Sequence, residues 1–310
     1  MKTVPLGASD LAVPNVTLGV MRIGDKTDDE IRTLVRTARD AGIDFFDHAA
    51  VYGPTLHGAE ERFAEALRLT SSERAEITLQ TKAGIDPASG YDSSYEHLVG
   101  SVEDSLRALR TDYLDILLIH RPDALVEPAE VARAFDDLEA AGKVRAFGVS
   151  NHTPLQIELL KTAVRQPLVV NQLQLSITHA PIVAQGVAAN MAGLDQSAVV
   201  DGGGVLDYCR IHRITVQAWS PFQAGFFTGP FLGSPDYPEL NAVIDRLAKQ
   251  YGVPPIAIAT AWITRHPAQP QVVLGTTTPE RVTGAAQGSD IPLTRAEWYE
   301  LFRAAGHRLP

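Results

Sequence analysis

Eight short apolar runs recur along this sequence of 310 residues, and at least one amphipathic helical segment separates each run from the next. The runs lie at 16–22, 43–47, 77–81, 115–119, 144–149, 168–171, 215–218 and 271–274. Strands that are joined through a helix return to the same edge of a sheet and therefore pair in parallel. Eight such units in a chain of this length predict a closed (β/α)8 barrel, the TIM-barrel architecture, as one domain over residues 1–310.

The segments outside this alternation complete the predicted architecture. Residues 3–6 and 11–14 are short extended stretches joined by turn residues, and they predict an N-terminal β-hairpin. Helical patterns at 279–287 and 294–305 predict extra helices after the last strand, whereas residues 176–201 predict a long loop. The sequence has no Gly-x-Gly-x-x-Gly motif between a strand and a helix, which argues against an open, doubly wound sheet.

Composition excludes several classes of partner. The net charge of -10 argues against binding to nucleic acid or to an anionic membrane. The N-terminus lacks the apolar core of a secretion signal, and no apolar run approaches the roughly 20 residues of a membrane span. We therefore expect a cytoplasmic protein that acts on a small molecule. Cys209 is the only cysteine, which rules out an intrachain disulfide.

Ionisable side chains lie where three of the predicted strands end. Asp47 closes the second strand, Lys82 follows the third and His120 follows the fourth, while Tyr52 lies five residues after Asp47. In a (β/α)8 barrel the carboxyl ends of all the strands meet at the face that carries the active site. We therefore expect these four side chains to form one site.

The four residue types have a shared chemical use. A phenol has a pKa of about 10, and a neighbouring cation such as Lys82 stabilises the phenolate and lowers that pKa. Asp47 would keep Lys82 charged, and His120 would donate to a carbonyl or relay a proton. The sequence has no Gly-x-Ser-x-Gly nucleophile motif and no histidine or cysteine pairing typical of zinc sites. Proton donation to a carbonyl remains, and carbonyl reduction also requires a hydride from a nicotinamide cofactor.

With these residues in place, the sequence resembles the aldo-keto reductase family. Asp47, Tyr52, Lys82 and His120 match the family's catalytic tetrad in order and spacing. The resemblance covers nearly the whole chain and is greatest to the bacterial YdhF-like oxidoreductases. Further matching segments lie at the ends of the fifth, sixth and seventh strands, at 142–151, 171–172 and 218–222.

The resemblance implies a binding site for nicotinamide at the same face. Hydrogen bonds from polar side chains would fix which face of the ring is exposed, and a flat aromatic ring would stack on it. Ser150, Asn151 and Gln172 would bind the carboxamide, and Trp219 would provide the stacking ring. The implied cofactor-binding residues of this group are Ser150, Asn151, Gln172, Trp219, Ser220 and Pro221.

A phosphate site is expected after the last strand. In this fold a helix N-terminus near that strand binds anions through backbone N–H groups and the helix dipole. Thr276 and Thr277 add hydroxyl donors, and Arg281 lies about one turn into the helix, where it would reach the 2′-phosphate of NADPH. We therefore expect NADPH in preference to NADH. Gly275 and Ala285 replace a lysine and an asparagine that are common in the family, which weakens the expected discrimination.

Candidate substrate contacts come from the loops that follow the strands. A short tail after Trp298 would leave the pocket open on one side, and this predicts tolerance of varied aldehydes or ketones. The candidate substrate-binding residues are Arg22, His48, Val51, Arg121, Phe222, Gln223 and Phe226.

Two alternative functions remain open at this point. Lys82 could act as the nucleophile of a Schiff-base aldolase or isomerase, although Asp47 would keep it protonated. The same fold and tetrad also occur in cofactor-sensing potassium-channel beta subunits, although no segment of this sequence indicates a channel partner.

Overall fold

The computed structural model describes residues 1–88, 90–188, 204–225 and 228–309, and the strands within them form a closed barrel with two small hairpins. These strands are β1 (Thr3–Pro5), β2 (Ala12–Pro14), β3 (Val16–Gly19), β4 (Phe45–Asp47), β5 (Thr78–Ala83), β6 (Ile85–Asp86), β7 (Gly90–Tyr91), β8 (Leu114–Ile119), β9 (Val144–Ser150), β10 (Leu168–Gln174), β11 (Thr215–Trp219) and β12 (Gln271–Leu274). The barrel consists of β3, β4, β5, β8, β9, β10, β11 and β12, which pair in parallel in that order until β12 closes on β3. The predicted (β/α)8 barrel is confirmed.

Helices surround the barrel and continue after its last strand. They are α1 (Asp28–Asp40), α2 (Gly58–Leu67), α3 (Ser71–Ala75), α4 (Tyr95–Leu109), α5 (Pro128–Ala140), α6 (Pro154–Lys161), α7 (Pro181–Val187), α8 (Val205–Ile211), α9 (Pro238–Tyr251), α10 (Pro255–Thr264), α11 (Pro279–Ala286) and α12 (Arg295–Ala304). Thr27 caps α1 in the reciprocal arrangement that its spacing to Glu30 predicts. The extra C-terminal helices expected from the sequence are α11 and α12.

The N-terminal hairpin closes the end of the barrel opposite to the strands' carboxyl termini. β1 and β2 pair in antiparallel fashion, with Val4 opposite Val13. Both valines are buried in one cluster with Phe45, Ile116 and Val170 of the barrel strands. The hairpin therefore excludes water from the barrel interior below the site.

Several element boundaries differ from the prediction for local reasons. β4 begins at Phe45 because the N–H of Ile43 still bonds to the carbonyl of Ala38 in α1. β5 continues to Ala83 because Lys82 and Ala83 pair with β8, so Lys82 lies within the strand. The predicted loop at 176–201 contains helix α7 as far as the structure describes it.

Besides α7, three short elements were not predicted from the sequence. α3 is a single short turn of helix capped by Thr70, and β6 and β7 form a two-stranded hairpin after β5. Each is too short to give a periodic hydrophobic pattern. In the described ranges, no helix is long and apolar enough to cross a membrane.

Candidate active site

The centre of the site is an ion pair between neighbouring barrel strands. Lys82 of β5 is fully buried, and its Nζ lies 2.8 Å from each carboxylate oxygen of Asp47 at the end of β4. Nζ also donates to the carbonyl of His48 at 2.7 Å. Burial opposes the charge on Lys82, but Asp47 and Tyr52 more than offset it, so the pKa of Lys82 is above its ordinary value. Lys82 is therefore an ammonium at neutral pH.

Tyr52 receives the third hydrogen bond of this ammonium. Its Oη lies 3.1 Å from Nζ of Lys82, and the loop that carries it is fixed because the N–H of Ala59 donates to the Tyr52 carbonyl at 2.9 Å. An ammonium has three donors, and all three are now used. Because the tyrosine oxygen accepts from Lys82, its own O–H is free to point into the cleft.

The acidity of Tyr52 differs from the expectation based on sequence. Burial raises the pKa of the phenol and Asp47 adds to this effect, while Lys82 lowers the pKa by less, so the net value is above the ordinary one. Lys82 lowers the pKa of Tyr52, as expected from the sequence, but burial outweighs its effect. Tyr52 is protonated at neutral pH, as a proton donor must be.

His120 lies on the other side of the tyrosine. Its backbone N–H donates to the carbonyl of Ala83, and its ring meets the Tyr52 ring edge-on at 5.8 Å between centroids. Burial and the nearby charge of Lys82 hold the pKa of His120 well below its ordinary value. The imidazole is therefore neutral, and it offers one N–H donor beside the phenol. The four predicted catalytic residues thus lie together.

The residues predicted to bind nicotinamide form a chain across the ends of β9, β10 and β11. Ser150 Oγ donates to the carbonyl of Gln172 at 3.0 Å, and Asn151 Nδ2 donates to Ser150 Oγ at 2.7 Å. Trp219 Nε1 donates to Asn151 Oδ1 at 3.1 Å. Asn151 and Ser220 have positive φ angles of 61° and 51°, which turn the chain sharply after each strand.

Gln172 lies deeper than the sequence predicted. Its side chain is 3% exposed, and its amide nitrogen donates to Asp47 rather than pointing at the cleft. Pro221 is also buried, next to the partly buried Ser220. The structure therefore joins Ser150, Asn151 and Trp219 to one another, and it joins Gln172 to the catalytic ion pair.

The segment after β12 has the properties of an anion site. Thr278 precedes α11 and makes no side-chain cap to it. Pro279 has no N–H and the N–H of Arg281 donates to the Thr278 carbonyl at 3.0 Å, so in the first turn Thr278 leaves the N–H of Glu280 uncapped. Thr276 Oγ1 accepts from the N–H of Thr278 at 3.2 Å. Arg281 is exposed and has no ion pair within the described ranges. Free donors and an unpaired guanidinium fit the phosphates of a nicotinamide dinucleotide.

One cleft connects this segment with Tyr52. The cleft has a volume of about 580 Å³, and Tyr52, Val51, Arg22 and Thr277 all line it. Arg22 Nη1 donates to the carbonyl of Gly275 at 3.2 Å, which joins the loop after β3 to the loop after β12. Thr277 of the predicted phosphate loop and the phenol of Tyr52 therefore border one open channel.

The other predicted substrate residues lie in different environments. The guanidinium of Arg121 lies 5.9 Å from the Trp219 ring, and among the described residues it has no carboxylate partner. Phe222 is partly buried against the core. Phe226 lies outside the described residues. Across the described ranges, no group of three or more His, Cys, Asp or Glu side chains is arranged to bind a metal.

Comparison with known proteins decides the family. Residues 15–304 match the model of the Aldo/keto reductase family. The chain belongs to this family. It is 34% identical to a 6-dehydroglucose reductase of Agrobacterium fabrum (strain C58) over 95% of both chains, and 34% identical to the oxidoreductase YdhF of Escherichia coli (strain K12) over 87% of this chain and 86% of YdhF. The predicted resemblance, including that to YdhF, is confirmed, and the protein is an oxidoreductase.

A solved structure shares the fold of this aldo-keto reductase. MGS-M4, an aldo-keto reductase enzyme from a Medee basin deep-sea metagenome library, aligns with a TM-score of 0.72 over 97% of this chain and 94% of its own. At 23% sequence identity, the comparison concerns the fold alone.

Of two polar groups near the tetrad of this aldo-keto reductase, Gln80 was not identified from the sequence, and His48 was expected as a substrate contact but is buried instead. Gln80 lies two residues before Lys82, and the two-residue period of a strand would have placed both inside the barrel. Its amide nitrogen donates to Asp47 at 2.6 Å. His48 is fully buried, its ring meets Phe63 edge-on, and neither ring nitrogen has a partner among the described residues. No sequence signal distinguishes His48 from a cleft residue.

Proposed function

We propose that the protein is an NADPH-dependent reductase that converts aldehydes or ketones to alcohols, with Tyr52 as the general acid. The observation that carries this proposal is the hydrogen bond from Lys82 to the Tyr52 oxygen, beside a neutral His120. This arrangement leaves a protonated phenol whose O–H faces the cleft. The raised pKa of Tyr52, caused by burial, keeps that proton in place until a carbonyl oxygen accepts it.

The cofactor is assigned to the channel between Tyr52 and the loop after β12. When bound, the reduced nicotinamide supplies the hydride that no side chain can provide. Asn151, Ser150 and Trp219 would hold its ring and carboxamide through the groups that now bond to one another. Thr277, which lines the same cleft, belongs to the loop that would hold the phosphates.

The side chains divide the proton chemistry between them. Tyr52 donates its proton to the carbonyl oxygen while the carbonyl carbon is reduced, and the resulting phenolate lies 3.1 Å from the Lys82 ammonium. Asp47 keeps that ammonium charged through its two carboxylate oxygens. His120, being neutral, donates a hydrogen bond that polarises the same oxygen.

NADPH is proposed over NADH because of Arg281 together with Thr276 and Thr277. An exposed guanidinium with no ion pair in the described part of the chain retains its donors for a phosphate. Gly275 and Ala285 contribute no further donor, so the preference should be moderate.

Substrates are proposed to be small carbonyl compounds of varied structure. The similarity to a 6-dehydroglucose reductase supports the inclusion of sugar-derived carbonyls among the compounds to be tested.

The Schiff-base alternative is disfavoured by the state of Lys82. A lysine nucleophile must be neutral, whereas Asp47 and Tyr52 raise the pKa of Lys82 despite its burial. Borohydride trapping with a carbonyl substrate is expected to label wild-type protein no more than Lys82→Met.

A panel of aldehydes, ketones and sugar-derived carbonyls tests the proposal. We expect loss of reduced-cofactor absorbance with NADPH and at least one of these compounds. Cofactor that binds, as measured by fluorescence titration, but is not oxidised by any compound would contradict the proposal and favour a cofactor-sensing binding protein.

A further inference from the structure

Four glutamine side chains lie inside the barrel beneath the catalytic ion pair. They are Gln80 of β5, Gln172 of β10, Gln217 of β11 and Gln271 of β12, and each is at most 3% exposed. Buried amides are costly unless both their donors and their acceptor are paired. Their contacts therefore decide whether they only fill the barrel or also act on the site.

Two of the amides bind the catalytic carboxylate directly. The amide nitrogens of Gln80 and Gln172 lie 2.6 Å and 3.1 Å from Asp47 Oδ1. The same two nitrogens donate their second hydrogens to Gln217 Oε1, at 2.8 Å and 3.0 Å. Asp47 Oδ1 thus receives two amide donors in addition to Lys82.

The remaining bonds fix the direction of these amides. Gln217 Nε2 donates to Gln80 Oε1 at 3.1 Å and to Gln271 Oε1 at 2.8 Å, and Gln271 Nε2 donates to the carbonyl of Pro14 at 2.6 Å. A carboxylate and a backbone carbonyl can only accept, and they lie at the two ends of this network. Turning any one amide over would place donor against donor or acceptor against acceptor, so the network has one arrangement.

The amides of Gln80 and Gln172 therefore hold the Asp47 carboxylate from inside the barrel. Its position sets the position of Lys82, whose three donors go to Asp47, the His48 carbonyl and the Tyr52 oxygen. A carboxylate free to rotate would let the ammonium move with it and would break the bond to the phenol. The strongest fixed contact below the carboxylate is the one from Gln80, at 2.6 Å.

We propose that Gln80, supported by Gln217, is a positioning residue for the reaction: it holds Asp47 so that the Lys82 ammonium stays bonded to the Tyr52 oxygen. This inference rests on the proposed function. It predicts that Gln80 acts on the rate only through Asp47. A residue that merely fills the barrel would instead change stability and leave the rate of the folded enzyme unchanged.

The test is a double-mutant cycle between Gln80→Met and Asp47→Asn. Methionine retains the length of glutamine without its donors, and Gln80→Asn serves as a second variant, because its shorter amide falls short of Asp47. The rate constant of a single turnover with saturating NADPH is measured for wild type, both single variants and the double variant. Gln80→Met is expected to lower it roughly 10-fold, with the NADPH dissociation constant unchanged.

The cycle separates positioning from stability. In the Asp47→Asn background, Gln80→Met should lower the rate by less than about twofold, because the charge that Gln80 holds is already gone. The free energies of unfolding of the four cofactor-free proteins, measured with denaturant, should be non-additive in the same way. The inference would be overturned if the rate losses of the two single variants multiply in the double variant, or if Gln80→Met keeps the wild-type rate.

Gln166→Leu is the matched control. Gln166 Nε2 donates to the carboxylate of Asp136 at 2.8 Å, the same kind of bond, at a position preceding β10 rather than inside the barrel. Its loss should leave the single-turnover rate unchanged. If wild type itself reduces no carbonyl, the proposed function fails. If wild type is active and the Gln80 and Asp47 losses multiply, only this inference fails.

Discussion

Nζ of Lys82 lies 3.1 Å from Oη of Tyr52, and this bond accounts for the last of the three donors of the ammonium. The other donors go to Asp47 and to the His48 carbonyl. The lysine therefore cannot turn toward another acceptor without leaving one of these partners unpaired. The phenol is held in one place, and burial keeps its pKa above the ordinary value, so it stays protonated.

Replacing Tyr52 with phenylalanine tests the proton donor. Tyr52→Phe removes only the hydroxyl, and loss of a general acid costs about 10²- to 10⁴-fold in rate. We expect that loss in single-turnover reduction, with NADPH affinity nearly unchanged. Tyr95→Phe removes a hydroxyl that bonds to Asp137, away from the tetrad, and should be silent. A Tyr52→Phe enzyme with more than half of the wild-type rate would contradict the assignment.

Lys82 and Asp47 should differ in their effect on the rate. Lys82→Met removes the cation that stabilises the phenolate, and we expect it to abolish measurable reduction. Asp47→Asn leaves the ammonium in place and should be milder, with a partial loss of rate. Single-turnover rates of the two variants show which substitution is more damaging, and circular dichroism verifies that both variants fold. An Asp47→Asn enzyme slower than Lys82→Met would reverse these roles.

The fold and the tetrad follow from local patterns, whereas the environment of the tetrad does not. Asp47 and His120 lie where apolar runs end, and a barrel brings such ends together. The contact between Gln80 and Gln217 joins residues 137 positions apart and depends on the register of strands around the barrel. The sequence predicted that Lys82 lowers the pKa of Tyr52, but it did not predict that burial outweighs this effect, because the spacing of residues does not reveal burial.

His48 should make the folded state sensitive to acid. Burial lowers the pKa of its ring from the ordinary 6.5 to about 3. Between these values the unfolded chain binds a proton that the folded protein does not, so the free energy of unfolding falls as pH decreases from 6.5 toward 3. One such group contributes a slope of up to about 1.4 kcal/mol per pH unit.

His48→Phe removes this group and its two unpaired ring nitrogens. We expect greater stability than wild type at pH 5 and a shallower loss of stability with acid, measured by urea unfolding between pH 7 and pH 4, roughly one pH unit at a time. His212→Phe alters an exposed histidine and is the control. Equal slopes for wild type and His48→Phe would show that a buried partner or water satisfies the ring.

Arg121 should favour substrates that carry an anionic group. Its guanidinium is near the Trp219 ring, helps to lower the pKa of His120 after burial and Lys82, and has no carboxylate partner in the ranges described. Arg121→Met should therefore lower kcat/KM for para-carboxybenzaldehyde roughly 10-fold, and change that for para-tolualdehyde by less than about twofold. Arg36→Met on α1 is the control. Equal losses of kcat/KM for both aldehydes would show that Arg121 supports the packing of the site and does not bind the anionic group.

The choice of cofactor tests the segment after β12. Arg281 projects from the first turn of α11, is exposed, and has no ion pair among the residues that the structure describes. A 2′-phosphate would give this guanidinium a charged partner that NADH does not have, and charge-assisted bonds of this kind contribute about 1.5–3 kcal/mol. Arg281→Ala should therefore lower kcat/KM with NADPH by about 10-fold or more and leave the value with NADH unchanged.

Arg303→Ala is the matched control for that substitution, because Arg303 is also an exposed helix arginine without an ion pair in the described ranges. It should alter neither cofactor's kcat/KM. Raised salt should weaken NADPH binding to wild type more than to Arg281→Ala, since an exposed charge pair is screened. Equal use of NADPH and NADH by wild type would contradict the proposed preference for NADPH. An Arg281→Ala enzyme that keeps the wild-type preference would remove Arg281 from the phosphate site and leave the choice of cofactor unexplained.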